Sequence, residues 1–262
     1  MFTGMLFKAA IFDLDGTLVD SYKAWEKAYK KVLRASGYDL TDEDFLELYH
    51  MTLEESGAYF RTLYEAGKID IPGAERVPGD TGMSGADSEA REARGTVRGG
   101  APYTDLFETF TRCIFHSIRK EMETLYAEEV PSKPHALEYV RSLYEKGVPA
   151  CVATLTGSVL SVPSLKKTGF FPFLKFVVTS DDVGLSKKFP DIFLEAAKRM
   201  GVTPRETVVF EDCPTAMKTA YDAGFQVCGV ADLHRVYDSA EVSRRCGWFI
   251  TDFHDAPDPG VL

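Results

Sequence analysis

The chain has 262 residues, 45% hydrophobic and 27% charged, which is enough for a full-sized core and an accessory domain. Its formal net charge of −10 opposes long-range attraction to nucleic acid or an anionic membrane surface, so neither is expected as a partner. The five cysteines (Cys113, Cys151, Cys213, Cys228 and Cys246) show no CxxC pairing or zinc spacing, and no apolar stretch approaches the length of a transmembrane helix or forms a secretory signal. Reduced thiols in a cytoplasmic protein are the expectation.

The first apolar run, Met5 to Phe12, predicts a strand that stands more than a hundred residues from the others and rejoins them across an insertion. The insertion opens on a helical stripe, Tyr22, Trp25, Tyr29, Val32 and Leu33, that ends near Gly37. Similar stripes cover Asp42 to Tyr64 and Asp105 to Leu125, so the inserted piece is expected to be all-helical, with its aromatic residues forming its own core. Between these stripes Pro72 to Pro102 holds seven glycines and almost no large apolar side chains, the composition of a mobile loop.

Beyond residue 130 the pattern changes. Apolar runs at Val148–Ala153, Phe176–Thr179, Thr207–Phe210, Gln226–Val230 and Trp248–Thr251 alternate with stretches that begin at proline and stop at glycine: Pro134–Gly147, Pro190–Gly201 and Pro214–Gly224. Proline suits a first helical turn and glycine the left-handed residue after the last, so each stretch predicts a helix between two strands. The fold class is α/β, a Rossmann-like parallel sheet with an inserted helical domain. The boundaries expected are 1–18 with 130–262 for the core and 19–129 for the helical cap, with the mobile loop at about 72–104.

In such a sheet the ligand site lies beyond the carboxyl ends of the strands. The first strand runs into Asp13-Leu14-Asp15-Gly16-Thr17, where Gly16 permits a sharp turn that lets both carboxylates converge. Paired acids this close call for a hard cation such as Mg²⁺. Three other strand ends add to the set. Thr154-Leu155-Thr156-Gly157-Ser158 offers hydroxyls and backbone amides for phosphate oxygens, Lys187 and Lys188 offer an ammonium, and Glu211-Asp212 offers metal ligands. Each feature alone has an ordinary reading as a turn, a helix cap or a solvated lysine.

The order of FDLDGT, a strand ending in threonine, a lysine three residues before Pro190-Asp191, and FED after a further strand resembles the haloacid dehalogenase superfamily, within its phosphatase and β-phosphoglucomutase-like subgroup. The likeness spans essentially the whole chain, including the helical cap inserted after the first motif. It implies that Asp13 is the nucleophile and Asp15 the general acid and base, that Thr154, Leu155 and Lys187 bind phosphate, and that Asp13, Asp15 (through its carbonyl), Glu211 and Asp212 hold Mg²⁺. Lys188 stands where relatives carry proline, which leaves the register between Lys187 and Lys188 open, and Thr156 competes with Thr154. The implied activity is Mg²⁺-dependent hydrolysis of a small phosphate ester through an aspartyl-phosphate, by a monomer. The alternatives are a sugar phosphomutase and a catalytically silent binding module on the same fold.

Overall fold

The computed structural model describes residues 7–51, 53–69, 103–183 and 186–259. Along the chain come β1 (Ala9–Phe12), α1 (Tyr22–Ala35), α2 (Asp42–His50), α3 (Leu53–Glu65), α4 (Tyr103–Glu128), α5 (Ala136–Glu145), β2 (Ala150–Thr154) and α6 (Ser158–Lys167). They are followed by β3 (Val177–Thr179), α7 (Ser180–Val183), α8 (Asp191–Met200), β4 (Thr207–Glu211), α9 (Pro214–Asp222), β5 (Gln226–Val230), α10 (Ser239–Arg245) and β6 (Trp248–Ile250). The stretch read as a Gly-rich loop lies outside the described residues.

The chain divides into two compact units, residues 1–24 with 123–262 and residues 25–122. In the first, six strands form one parallel sheet in the order β3-β2-β1-β4-β5-β6. β1 lies between β2 and β4, with Ala10 opposite both Ala150 and Val208 and Phe12 opposite Phe210. All four of its residues, Ala-Ala-Ile-Phe, are buried. A strand covered on both faces needs continuous apolarity, not alternation, and that is the pattern this sequence carries. Because β2 and β3 run to one side of β1 while β4, β5 and β6 run to the other, the chain reverses direction across the sheet at β1 and β4. A crevice opens beyond their carboxyl ends at such a switch point.

The helices end where glycine allows it: α8 stops at Gly201 in the left-handed conformation (φ 73°), while Pro214 occupies the first turn of α9. One expectation is revised. The stripe over Asp42–Tyr64 is two helices, because the backbone of Met51 turns extended (φ −83°, ψ 148°) and its N–H closes on the Leu48 carbonyl at 3.1 Å. α6 carries Pro163 as its sixth residue, where the ring removes the amide that would have donated to the Val159 carbonyl, so this helix forms with one internal hydrogen bond missing.

Within residues 25–122, Tyr29, Phe45, Phe60 and Phe115 pack ring against ring at centroid distances of 5.7 to 6.4 Å. They form a core of their own. The nearby Asp44 accepts hydrogen bonds from the Tyr38 hydroxyl (2.7 Å), the Tyr59 hydroxyl (2.9 Å) and the Thr41 hydroxyl (2.8 Å). All five cysteines are free thiols, and no helix among the described residues is long and apolar enough to cross a membrane.

Candidate active site

Asp13 leaves β1 with its amide still on the ladder, donating to the Phe210 carbonyl of β4 at 2.9 Å. The chain then folds back on itself: the amides of Leu18 and Val19 donate to the Leu14 carbonyl (2.9 and 3.0 Å), and Gly16 donates to the Val19 carbonyl (2.9 Å). Gly16 is required here on two counts. Its φ of +83° is unfavourable for any side chain, and a Cβ at this position would lie 2.6 Å from Asp212 Oδ2 and 2.9 Å from Asp232 Oδ2. The turn can therefore press against the end of β4.

That approach gathers the charges. Lys187 Nζ donates to Asp13 Oδ1 and, at 2.7 Å, to Glu211 Oε2, and all three side chains are buried. Carboxylate oxygens of Asp13, Glu211 and Asp212 lie within 4.8 Å of one another. The remaining Glu211 oxygen accepts the Cys213 amide at 3.1 Å. Asp212 is met by Arg235 Nε on Oδ2 and by the Thr17 hydroxyl on Oδ1 at 3.4 Å. Lys188, the competing residue, is exposed, so the fold selects Lys187 for contact with Asp13.

Burial dominates the acid–base behaviour of this cluster. It pushes the Glu211 carboxyl up to about 8, with Asp13 adding repulsion and Lys187 pulling the other way. It lifts Asp212 to about 6 against the pull of Arg235, and it raises Asp13 despite Lys187. Burial alone would weaken Lys187 as a base, but Asp13 and Glu211 outweigh it and hold the ammonium charged well above the usual lysine range. Three buried carboxylates against the Lys187 ammonium and the Arg235 guanidinium leave negative charge in excess, and the acids retain protons to relieve it. The donor set is three hard oxygens converging on one point, which suits Mg²⁺ and does not suit a soft metal.

At the neighbouring strand end, Thr154 is buried and its hydroxyl accepts the Thr156 amide at 3.0 Å, while Leu155 is exposed at the rim. Asp15, whose charge adds to the repulsion on Asp13, has hydrogen-bond partners of its own. Its Oδ1 accepts the Tyr126 hydroxyl and its Oδ2 the Thr156 hydroxyl at 2.5 Å.

Sequence reasoning missed Tyr126, Asp232, Arg235 and Tyr237. Asp232 is buried and caps the turn after β5 by accepting the His234 amide at 2.8 Å; the Tyr237 hydroxyl donates to the Asp212 carbonyl at 3.0 Å. These residues follow the carboxyl end of β5, so the strand-end rule applied once more would have flagged residues 231–237. His234, in the same stretch, lies flat on Tyr22 with ring centroids 3.3 Å apart.

A sheet of this topology with its acids at the switch point defines an α/β enzyme core, and the comparisons with known proteins agree. The family model for haloacid dehalogenase-like hydrolase matches residues 7–224, and the chain belongs to that family. Hexitol phosphatase A of Escherichia coli (strain K12) is 29% identical over 226 residues, covering 86% of this chain and 84% of that protein. The phosphorylated carbohydrates phosphatase of Thermotoga maritima is 25% identical over 219 residues, covering 84% and 82%. Among solved structures, CbbY from Rhodobacter sphaeroides in complex with phosphate shares the fold, with a TM-score of 0.68 at 18% identity over 95% of this chain and 96% of that one.

Proposed function

We propose that the protein is a phosphoric monoester hydrolase in which Asp13 takes the phosphoryl group from a small phosphorylated metabolite. The observation that carries this reading is Lys187 bridging Asp13 and Glu211, with Asp212 alongside, at the carboxyl ends of β1 and β4. A nucleophilic carboxylate must meet a phosphate that is itself anionic, and a buried ammonium shared between two acids lowers that repulsion where the charges meet.

The reaction balances in two steps. A carboxylate oxygen of Asp13 bonds to phosphorus while the ester P–O bond breaks, and the leaving oxygen takes the proton of Asp15. A water then gives a proton back to Asp15 as its oxygen bonds to phosphorus, the bond to Asp13 breaks and inorganic phosphate leaves. In this reading Thr154, the backbone beyond it at Leu155, and Lys187 bind phosphoryl oxygens, supported by the burial of Thr154 and the contact of Lys187 with Asp13. Asp13, the Asp15 carbonyl, Glu211 and Asp212 would hold Mg²⁺, which supplies charge neutralisation at the phosphoryl group when bound. Residues 25–122 serve as the cap that sorts substrates. The names of the relatives favour phosphorylated sugars and polyols as the class.

Release of p-nitrophenol from its phosphate tests the reading. It is expected to require Mg²⁺ and to fall by about a thousandfold or more in Asp13→Asn. Undiminished turnover in that variant overturns it. Conversion of a hexose 1-phosphate to the 6-phosphate, without inorganic phosphate, would instead make the protein a mutase.

A further inference from the structure

Every acid in this site but one has a cation beside it. Asp13 and Glu211 share Lys187, and Asp212 has Arg235. Asp15 differs: among the described residues its two carboxylate oxygens each meet a neutral hydroxyl, Tyr126 on Oδ1 and Thr156 on Oδ2. The donors come from unrelated places, Tyr126 near the end of α4 and Thr156 just beyond β2, 111 and 141 residues away in sequence. The backbone of Asp15 is already fixed by the turn that Gly16 closes and by a bridge to Val19. The two torsions of the side chain are what the turn leaves free, and two hydroxyls on opposite oxygens remove that freedom.

We propose that Tyr126 and Thr156 are positioning residues that clamp the carboxyl of Asp15 for proton transfer to the leaving group, an inference that rests on Asp15 being the acid of the proposed reaction. Hydroxyls suit the task where a lysine would not. A fixed ammonium favours the ionised carboxylate alone, whereas a hydroxyl both donates and accepts and can hold the group with or without its proton. Tyr126 is fully buried, so its ring cannot swing away from the contact. Its spacing on α4 is that of an ordinary core residue, and only the hydroxyl has further work to do.

The consequence is specific to the leaving group. A nitrophenolate departs with little help from a proton donor, while a phenolate, with the proton affinity of a tyrosine side chain, needs more. The two esters are nearly the same size, so a packing defect affects both alike. The experiment measures kcat/KM for p-nitrophenyl phosphate and phenyl phosphate on the Mg²⁺-loaded wild type, Asp15→Asn, Tyr126→Phe, Thr156→Val and Thr156→Ser. The clamp predicts that Tyr126→Phe and Thr156→Val each lower phenyl phosphate turnover by roughly tenfold or more while nitrophenyl phosphate falls less than about threefold, and that Thr156→Ser restores the wild-type ratio.

Asp15→Asn should show the same bias, more strongly. If it shows the bias while Thr156→Val loses both esters equally or neither, the clamp is wrong and the acid assignment stands. If Asp15→Asn shows no bias, the acid assignment itself has failed and the clamp falls with it. Thr156, only partly buried, keeps the test available should Tyr126→Phe fold poorly.

Discussion

The carboxyl ends of β1 and β4 and the helical unit of residues 25–122 bury opposite kinds of side chain. At the strand ends Asp13, Lys187, Glu211 and Asp212 are all at most 7% exposed, a density of charge that folding alone disfavours. In the helical unit the large buried groups are rings, Tyr29, Phe45 and Phe60, whose removal from water stabilises the fold directly. The acid–tyrosine network there, around Asp44, stays near the surface. Burial in the first region serves electrostatics, and in the second it serves packing. The difference tells which substitutions a cation can repair.

The sharpest contrast sets Lys187→Met against Phe60→Ala. Removing Lys187 leaves Asp13 and Glu211 buried without their ammonium and should cost about 3–5 kcal/mol of unfolding free energy. Removing the Phe60 ring leaves a cavity and should cost about 3–5 kcal/mol as well. Denaturant titrations with and without Mg²⁺ separate them: the ion recovers part of the loss in Lys187→Met and none beyond the wild-type gain in Phe60→Ala. Equal responses to the ion would erase the contrast.

A smaller effect follows from pH. Glu211 and Asp212 are held up to about 8 and about 6 in the folded protein, above the ordinary carboxylate range of the unfolded chain. Folding therefore retains protons between the two ranges. Without metal, the stability these protonated acids contribute is present in full below about pH 4. It is lost as pH rises through about 6 and then about 8. Mg²⁺ competes with those protons and binds the ionised groups, so its stabilisation, roughly 1–2 kcal/mol at tenfold excess over the dissociation constant, should grow from pH 6 to pH 8. A thermal shift with Mg²⁺ that is the same at both values would break the link between burial and metal affinity.

Much of the strand region was legible in the sequence because its signals are local. Continuous apolar runs mark strands buried on both faces, proline and glycine mark the helix ends between them, Asp13, Asp15, Thr154, Glu211 and Asp212 fall just past those runs, and Lys187 stands just before the Pro190 that opens a helix. What escaped depends on contacts distant in sequence. Tyr126 lies in a helix whose spacing reads as core, and its contact with Asp15 spans 111 residues. Arg235 and Asp232 follow the carboxyl end of β5, where only their position past the strand marks them, and their approach to Asp212 and Gly16 follows from the register of β5 beside β4. The choice between Lys187 and Lys188 required knowing which of two adjacent side chains faces the crevice, and a loop has no periodicity to decide it.

The central claim is a covalent bond between phosphorus and Asp13. Acid quench of the Mg²⁺-loaded protein during turnover of p-nitrophenyl phosphate, followed by borohydride reduction and peptide mass spectrometry, examines that bond itself. Homoserine at position 13, absent when substrate is withheld, is the predicted result. An unchanged Asp13 in a protein that is turning over substrate, or reduction at any other carboxylate, would contradict it.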